Sequence, residues 1–259
     1  MRQPALKENE FLERIRAGET IEAADAMPDE YRDNVLFMLE ILADSELSGA
    51  YGYAPWIQKA PTPEEKLWVA RTVREEIRHS QIAYQCLEAL GVDVDQRMRE
   101  WDSVYYNQIR QREIGFSHYG ENGRQHVIYY PARSWTDFVV CNFCIDRAAY
   151  HQLGSARDSS YGPWTRAVDE ILKDEAGHMD HGEVWVKRLA GNPETRAELE
   201  KALNRCFSAT VKIFWDPRSK RHESYRKWGL RKQNRLEAQA AFCREVREKA
   251  KSFGLQTVE

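Results

Sequence analysis

Glu46 is followed thirty residues later by Glu76-Ile77-Arg78-His79, and Asp146 is followed twenty-nine residues later by Glu175-Ala176-Gly177-His178. Residues three apart on an α-helix project to nearly the same side. Glu76 and His79 can therefore meet one metal ion, and Glu175 and His178 another. About thirty residues covers a helix, a short loop and the return to the same level on an antiparallel neighbour, at roughly 1.5 Å per residue. A carboxylate on one helix and Glu-x-x-His on the next, given twice, is the ligand set of a carboxylate-bridged di-iron centre in a four-helix bundle.

The faces carrying these residues are apolar. Glu46 lies in line with Leu39, Leu42, Ala43, Gly49, Ala50 and Tyr53, while Glu76 and His79 continue a stripe through Val69, Val73, Ala83 and Cys86. Asp146 keeps company with Val139, Phe143, Ala149 and Leu153, and Glu175 and His178 with Val168, Ile171, Gly182 and Trp185. A single inward His is more often a hydrogen-bonded core residue than a ligand, and Glu-x-x-His alone is a weak signal. Six inward ionisable groups are another matter, because unpaired buried charges are strongly destabilising and two divalent cations would neutralise them. Glu46, Glu76 and His79 are assigned to one ion, and Asp146, Glu175 and His178 to the other. Glu76 and Glu175 are the expected catalytic carboxylates, one or both bridging. Imidazole and carboxylate suit iron(II), and manganese also fits. His181, one turn beyond His178, is the candidate to orient a ligand through its ring N–H.

Helices must position these groups, and the punctuation of the chain supplies them. Bundle helices are expected at about 28–53, 62–90, 135–153 and 162–190. The first is opened by Pro28-Asp29-Glu30 and the second by Thr62-Pro63. Gly91 stops the second, and Gly162-Pro163 opens the fourth. A helical extension follows over 194–252, its last helix expected at roughly 222–252. The stretch 92–136 is the least periodic and rich in aromatics, among them Tyr105, Tyr106, Phe116, Tyr119 and Tyr129. It is the long crossover expected between helices two and three, with a short strand conceivable at Val127–Tyr130.

The 259 residues suffice for one large domain spanning 1–259. With 41 acidic and 38 basic residues, no general affinity for nucleic acid or membrane is implied. No apolar run is long enough to span a bilayer, the N-terminus lacks a signal-peptide core, and the five cysteines are scattered. A cytoplasmic protein with reduced thiols is expected. Cys141 and Cys144 form a Cys-x-x-Cys with no second pair, which favours packing over redox or zinc chemistry. Arg218, Lys220 and Arg221 open a basic C-terminal stretch that reaches Arg235. Such a run is commonly a solvated face, and its functional reading is binding of a phosphate-rich substrate.

These residues, in this order, resemble the catalytic subunits of the phenylacetic acid catabolic epoxidases and, more distantly, of benzoyl-CoA epoxidase. The likeness includes Met27-Pro28-Asp29-Glu30-Tyr31-Arg32, Ser45-Glu46, Trp56-Ile57, Ala60-Pro61-Thr62 and Ala89-Leu90-Gly91-Val92. Both Glu-x-x-His pairs, Ile145-Asp146, Tyr161-Gly162-Pro163 and Ala202-Leu203-Asn204-Arg205 complete it. Cys206-Phe207-Ser208 departs from the family's Trp-rich continuation, and Ile77-Arg78 replaces the usual small residues between Glu76 and His79.

The resemblance implies an all-α, ferritin-like four-helix bundle with a long aromatic crossover and extra C-terminal helices. It also implies two iron ions and a multicomponent monooxygenase that uses O₂ to insert one oxygen atom, by ring epoxidation, into an aromatic acyl-CoA substrate. Electrons would come from an external reductase, since the chain contains no Gly-rich strand–helix motif for flavin or NAD. The expected assembly pairs the chain with a ferritin-like non-catalytic subunit or with copies of itself. A ferritin-like ferroxidase, or a paralogous di-iron oxygenase acting on a non-CoA substrate, is the alternative.

Overall fold

The long helices begin where the sequence supplies a first turn. The computed structural model describes residues 8–100, 132–214 and 220–256. Its helices are α1 (Glu8–Arg16), α2 (Asp29–Tyr53), α3 (Trp56–Lys59), α4 (Pro63–Ala89), α5 (Trp135–Cys141), α6 (Arg147–Gly154), α7 (Gly162–Ala190), α8 (Pro193–Val211), α9 (Lys220–Lys227) and α10 (Arg235–Ser252). The Thr62 hydroxyl accepts the Glu65 amide at 3.3 Å with Pro63 in the first turn, and Ser134 caps α5 through the Asp137 amide. Gly91 ends α4 with φ +82°, a conformation that costs glycine little.

α2 and α4 lie antiparallel, with the Ser80 hydroxyl donating to the Ala43 carbonyl and Tyr84 to Asp44. α4 and α7 are antiparallel in turn, as are α7 and the α5–α6 segment. α4 and α5 therefore point the same way, and the connection between them must cross the length of the bundle. Most of that connection, residues 101–131, lies outside the described residues, and with it the aromatic run and the strand expected at Val127–Tyr130.

α5 and α6 are not one regular helix. Asn142–Asp146 widens into a π-helical turn between them. A π turn frees carbonyls from the usual ladder. The buried Arg147 guanidinium takes the Phe143 carbonyl and also pairs with Glu245 on α10 at 2.7 Å and Glu183 on α7 at 3.1 Å. Gly182 makes the close approach of α7 to this turn possible, because a Cβ there would stand 2.4 Å from the Phe143 amide nitrogen. Cys141, Cys144 and Cys206 are all buried in the adjoining core, which agrees with a packing role for the Cys-x-x-Cys.

The C-terminal region differs from the single helix expected at 222–252. α9 stops at Lys227, Trp228 turns into the core against Phe11 and Tyr31, and Gly229 adopts φ +65°. α10 then restarts at Asn234, whose side chain and Glu237 form a capping box. Burial of one indole outweighs helix propensity across the break.

Candidate metal centre

Glu46, Glu76, His79 and Glu175 offer ligand atoms that all lie within 4.8 Å of one another. α2 contributes Glu46, α4 the pair Glu76 and His79, and α7 Glu175 and His178. The His79 Nδ1 atom faces Glu46 Oε2 at 3.5 Å and Glu175 Oε1 at 3.6 Å. The His178 Nδ1 atom faces Glu76 Oε1 at 3.3 Å and Glu175 Oε2 at 3.8 Å. Both Nδ1 atoms are buried, and neither has a hydrogen-bond partner among the described residues. Two ring nitrogens turned toward carboxylates without bonding them fit a shared cation.

Asp146, at the end of the π turn, is not one of those four, though its carboxylate lies near enough to Glu175 and His178 to interact with both. Its Oδ1 accepts from the Tyr53 hydroxyl at 2.6 Å and its Oδ2 from the Asn142 amide at 3.0 Å. Burial, then the nearby Glu175 carboxylate, pushes the Asp146 carboxyl up to about 7. Glu76 is raised well above the usual carboxylate range, chiefly by burial and less by Glu175 and Glu46. Burial disfavours a charged His79, yet the Glu175 and Glu46 carboxylates facing its ring push it up to about 12. A carboxylate cluster this dry retains protons until a cation of higher charge displaces them.

The groups that orient the two imidazoles lie outside the six residues singled out in the sequence. His79 Nε2 meets Asp174 Oδ2 at 3.0 Å, and His178 Nε2 meets Glu75 Oε2 at 3.0 Å. Each brace crosses between helices, Asp174 reaching from α7 to α4 and Glu75 from α4 to α7. Each acid is backed by an arginine of α4: Arg78 pairs with Asp174, and Arg71 with Glu75 at 3.4 Å. Arg78, a departure from the usual small residues of the motif, therefore has a place in the site. A signal was present in the sequence, since an acid directly precedes the Glu of both Glu-x-x-His pairs. His181 lies elsewhere: it bonds Glu65 at 2.7 Å and stacks on Trp68 at 3.5 Å.

Replacing Asp174 with Asn or Glu75 with Gln should weaken metal binding by about 10–100-fold while leaving the fold intact, because the imidazole exchanges a charged acceptor for a weaker neutral one. Competition with a metallochromic chelator would measure this, and unchanged affinity in both variants would refute the bracing role.

Beside Glu46 and Asp146 opens a cavity of about 100 Å³ lined mainly by apolar groups, including Gly49, Trp56, Phe138 and Ile145. Gly49 leaves room for the Glu76 carboxylate, whose Oε2 would stand 2.9 Å from a Cβ. Of the basic residues singled out in the sequence, Lys220 and Arg221 are exposed on α9, and Arg218 lies outside the described residues.

Four helices in this arrangement, with carboxylates and histidines meeting along their inner faces, define a ferritin-like bundle. The solved structure of "Protein 19 with aldehyde deformylating oxidase activity" from Synechococcus shares the fold, with a TM-score of 0.60 at 16% identity over 88% of this chain and 93% of that one. The chain belongs to the family described as "Phenylacetic acid catabolic protein", whose model matches residues 1–259. Among curated proteins it is similar to one of the subunits of the 1,2-phenylacetyl-CoA epoxidase of Escherichia coli (strain K12), 28% identical over 212 residues. That match takes in 80% of this chain and 62% of the relative's own length.

Proposed function

We propose that the chain is the oxygen-activating component of a multicomponent monooxygenase, acting on an aromatic acyl thioester of coenzyme A and forming a ring epoxide. The observation that carries this reading is the pair of unbonded imidazole nitrogens, held among four buried or nearly buried carboxylates, beside an apolar cavity. Glu46, Glu76 and His79 hold one ion and Asp146, Glu175 and His178 the other, with Glu76 and Glu175 as the catalytic carboxylates. The donor set suits iron, with manganese as the alternative. Two iron ions bound there supply the reduction of O₂, one atom going to the ring and the other to water.

The protein's own residues do the rest. Asp174 and Glu75 keep each imidazole aimed inward. Tyr53 and Asn142 fix the Asp146 carboxylate on the cavity side. Trp56, Phe138 and Ile145 keep bulk water from the reacting ring. The basic residues Arg218, Lys220 and Arg221 attract the phosphates of the thioester. An external reductase supplies two electrons, and a ferritin-like partner completes the assembly in the cytoplasm. Among the described residues no helix is long and apolar enough to cross a membrane.

With a reductase and NAD(P)H, O₂ uptake should depend on an aromatic acyl-CoA, with product carrying one ¹⁸O atom from ¹⁸O₂. Rapid Fe²⁺ oxidation with mineral formation, and no response to any acyl-CoA, would replace this reading with an iron-handling one.

A further inference from the structure

Trp56, Trp68, Trp135 and Trp185, four of the eight tryptophans of the chain, pack in one cluster with Tyr53 and Phe138. Leucine or phenylalanine would fill such space equally well. Indoles and phenols differ from them in giving up an electron to a strong oxidant.

The rings run from a carboxylate of the metal centre to the surface. The Tyr53 hydroxyl donates to Asp146 Oδ1 at 2.6 Å. The Tyr53 ring meets Phe138 at 5.4 Å, Phe138 stacks on Trp135 at 4.8 Å, and Trp135 meets Trp185 edge-on at 5.5 Å. Trp185, on α7, is partly exposed. A second arm begins at His178. Trp68 lies 6.1 Å from its imidazole and stacks on His181 at 3.5 Å, and His181 lies 6.3 Å from Trp135. Both arms therefore converge on Trp135.

The surroundings of each indole decide where a missing electron would come to rest. An oxidised indole is a cation until its N–H proton leaves. A buried indole N–H usually finds an acceptor, yet Trp135 Nε1 has no hydrogen-bond partner among the described residues, so no base traps the charge there. Trp56 is only 6% exposed and carries the Lys59 ammonium 4.9 Å over its ring, which disfavours a second positive charge. Trp185 also has a cation over it, the Arg188 guanidinium at 5.1 Å. Its partial exposure, however, lets the indole proton pass to water and leaves a neutral ring. Trp185 is the open end.

We propose that Tyr53, Trp135 and Trp185 form a one-electron relay, bridged at its first gap by Phe138, that discharges the oxidised metal centre to the surface when no substrate is present. The relay rests on the oxygen-activating function given above, which supplies the oxidant. In each passage Tyr53 gives one electron to the centre and its hydroxyl proton to Asp146. An electron from Trp185, passed through Trp135, restores Tyr53, which takes the proton back. Trp185 loses its indole proton to water and is then reduced by a soluble thiol, which supplies one electron and one proton. Two passages remove two oxidising equivalents, and the two thiols leave as a disulfide.

Flash oxidation of the metal-free protein tests the relay apart from oxygen chemistry. The oxidant is a photogenerated ruthenium(III) polypyridyl complex, too bulky to enter the core, and radicals are read by freeze-quench electron paramagnetic resonance. The wild-type phenoxyl signal should contain a component that is lost in Tyr53→Phe. That component should also be lost in Trp135→Phe and Trp185→Phe, and kept in Trp164→Phe, an indole buried in a separate apolar cluster. If Trp135→Phe does not fold, the partly exposed Trp185→Phe decides. No component assignable to Tyr53, or one unchanged in Trp185→Phe, would overturn the relay. Iron-loaded protein cycled with reductase, NAD(P)H and O₂ but no substrate should then gain oxygen on the Trp185 indole, mapped by peptide mass spectrometry, with Trp164 spared. Consumption of O₂ with Trp185 unmodified would overturn the discharge role. A relay seen by flash oxidation in a protein that consumes no O₂ would keep the relay and reject the oxygenase reading.

Discussion

Alanine at His79 or at His178 is expected to strip metal from the protein and abolish oxygen-dependent turnover, while most of the helicity survives. Each imidazole faces two carboxylates, so its loss removes a ligand and leaves like charges facing one another. Removing an outer acceptor at such sites weakens metal binding by about 10–100-fold, and losing the ligand itself should exceed that. The helices persist because the apolar packing of Phe11, Tyr31 and Trp228 lies away from the centre. Elemental analysis after dialysis, with far-ultraviolet circular dichroism on the same samples, reads both quantities. Close to two ions per chain in either variant would remove that histidine from the ligand set.

Gly182→Ala is expected to lower the melting temperature far more than Gly49→Ala. At Gly182 the added methyl would meet the backbone of the π turn at Phe143, 2.4 Å from its nitrogen, and backbone cannot swing aside. Overpacking of this kind costs about 3 kcal/mol, or about 6–12 °C for a chain of this length. It would also displace Asp146 at the end of the turn. At Gly49 the methyl meets only the Glu76 carboxylate, a movable group, so the effect should fall on metal affinity rather than on stability. Thermal denaturation of the two variants separates the cases. A Gly182→Ala protein melting within about 2 °C of wild type would show that the π turn yields.

The sequence makes the inner faces of the bundle readable because its period is strict. Glu46, Glu76, His79, Glu175 and His178 fall on apolar stripes of regular helices that bring their side chains close to one another, whereas Asp146 takes its place through the π turn. The bracing acids Glu75 and Asp174 were also written in the chain, as a doubled acid in each half. Reading them requires knowing that α4 and α7 are neighbours, since each one serves the opposite helix. The π turn carried no such mark. It depends on a close approach at Gly182 and on Arg147 bonding a displaced carbonyl, both long-range matters. The break at Trp228–Gly229 was hidden for the same reason, because a locally helical stretch gave way to distant packing on Phe11 and Tyr31.

The crossed braces give the two halves of the centre a common fate. His79 is aimed by a carboxylate rooted on α7, and His178 by one rooted on α4. Sliding one helix along the other therefore disturbs both imidazoles together, and neither half can be tuned alone. The Asp174–His79 and Glu75–His178 contacts thus tie α4 and α7 to one register. The same coupling makes the centre a gauge of helix alignment: a docking partner that shifts α7 along the bundle would turn both imidazoles at once.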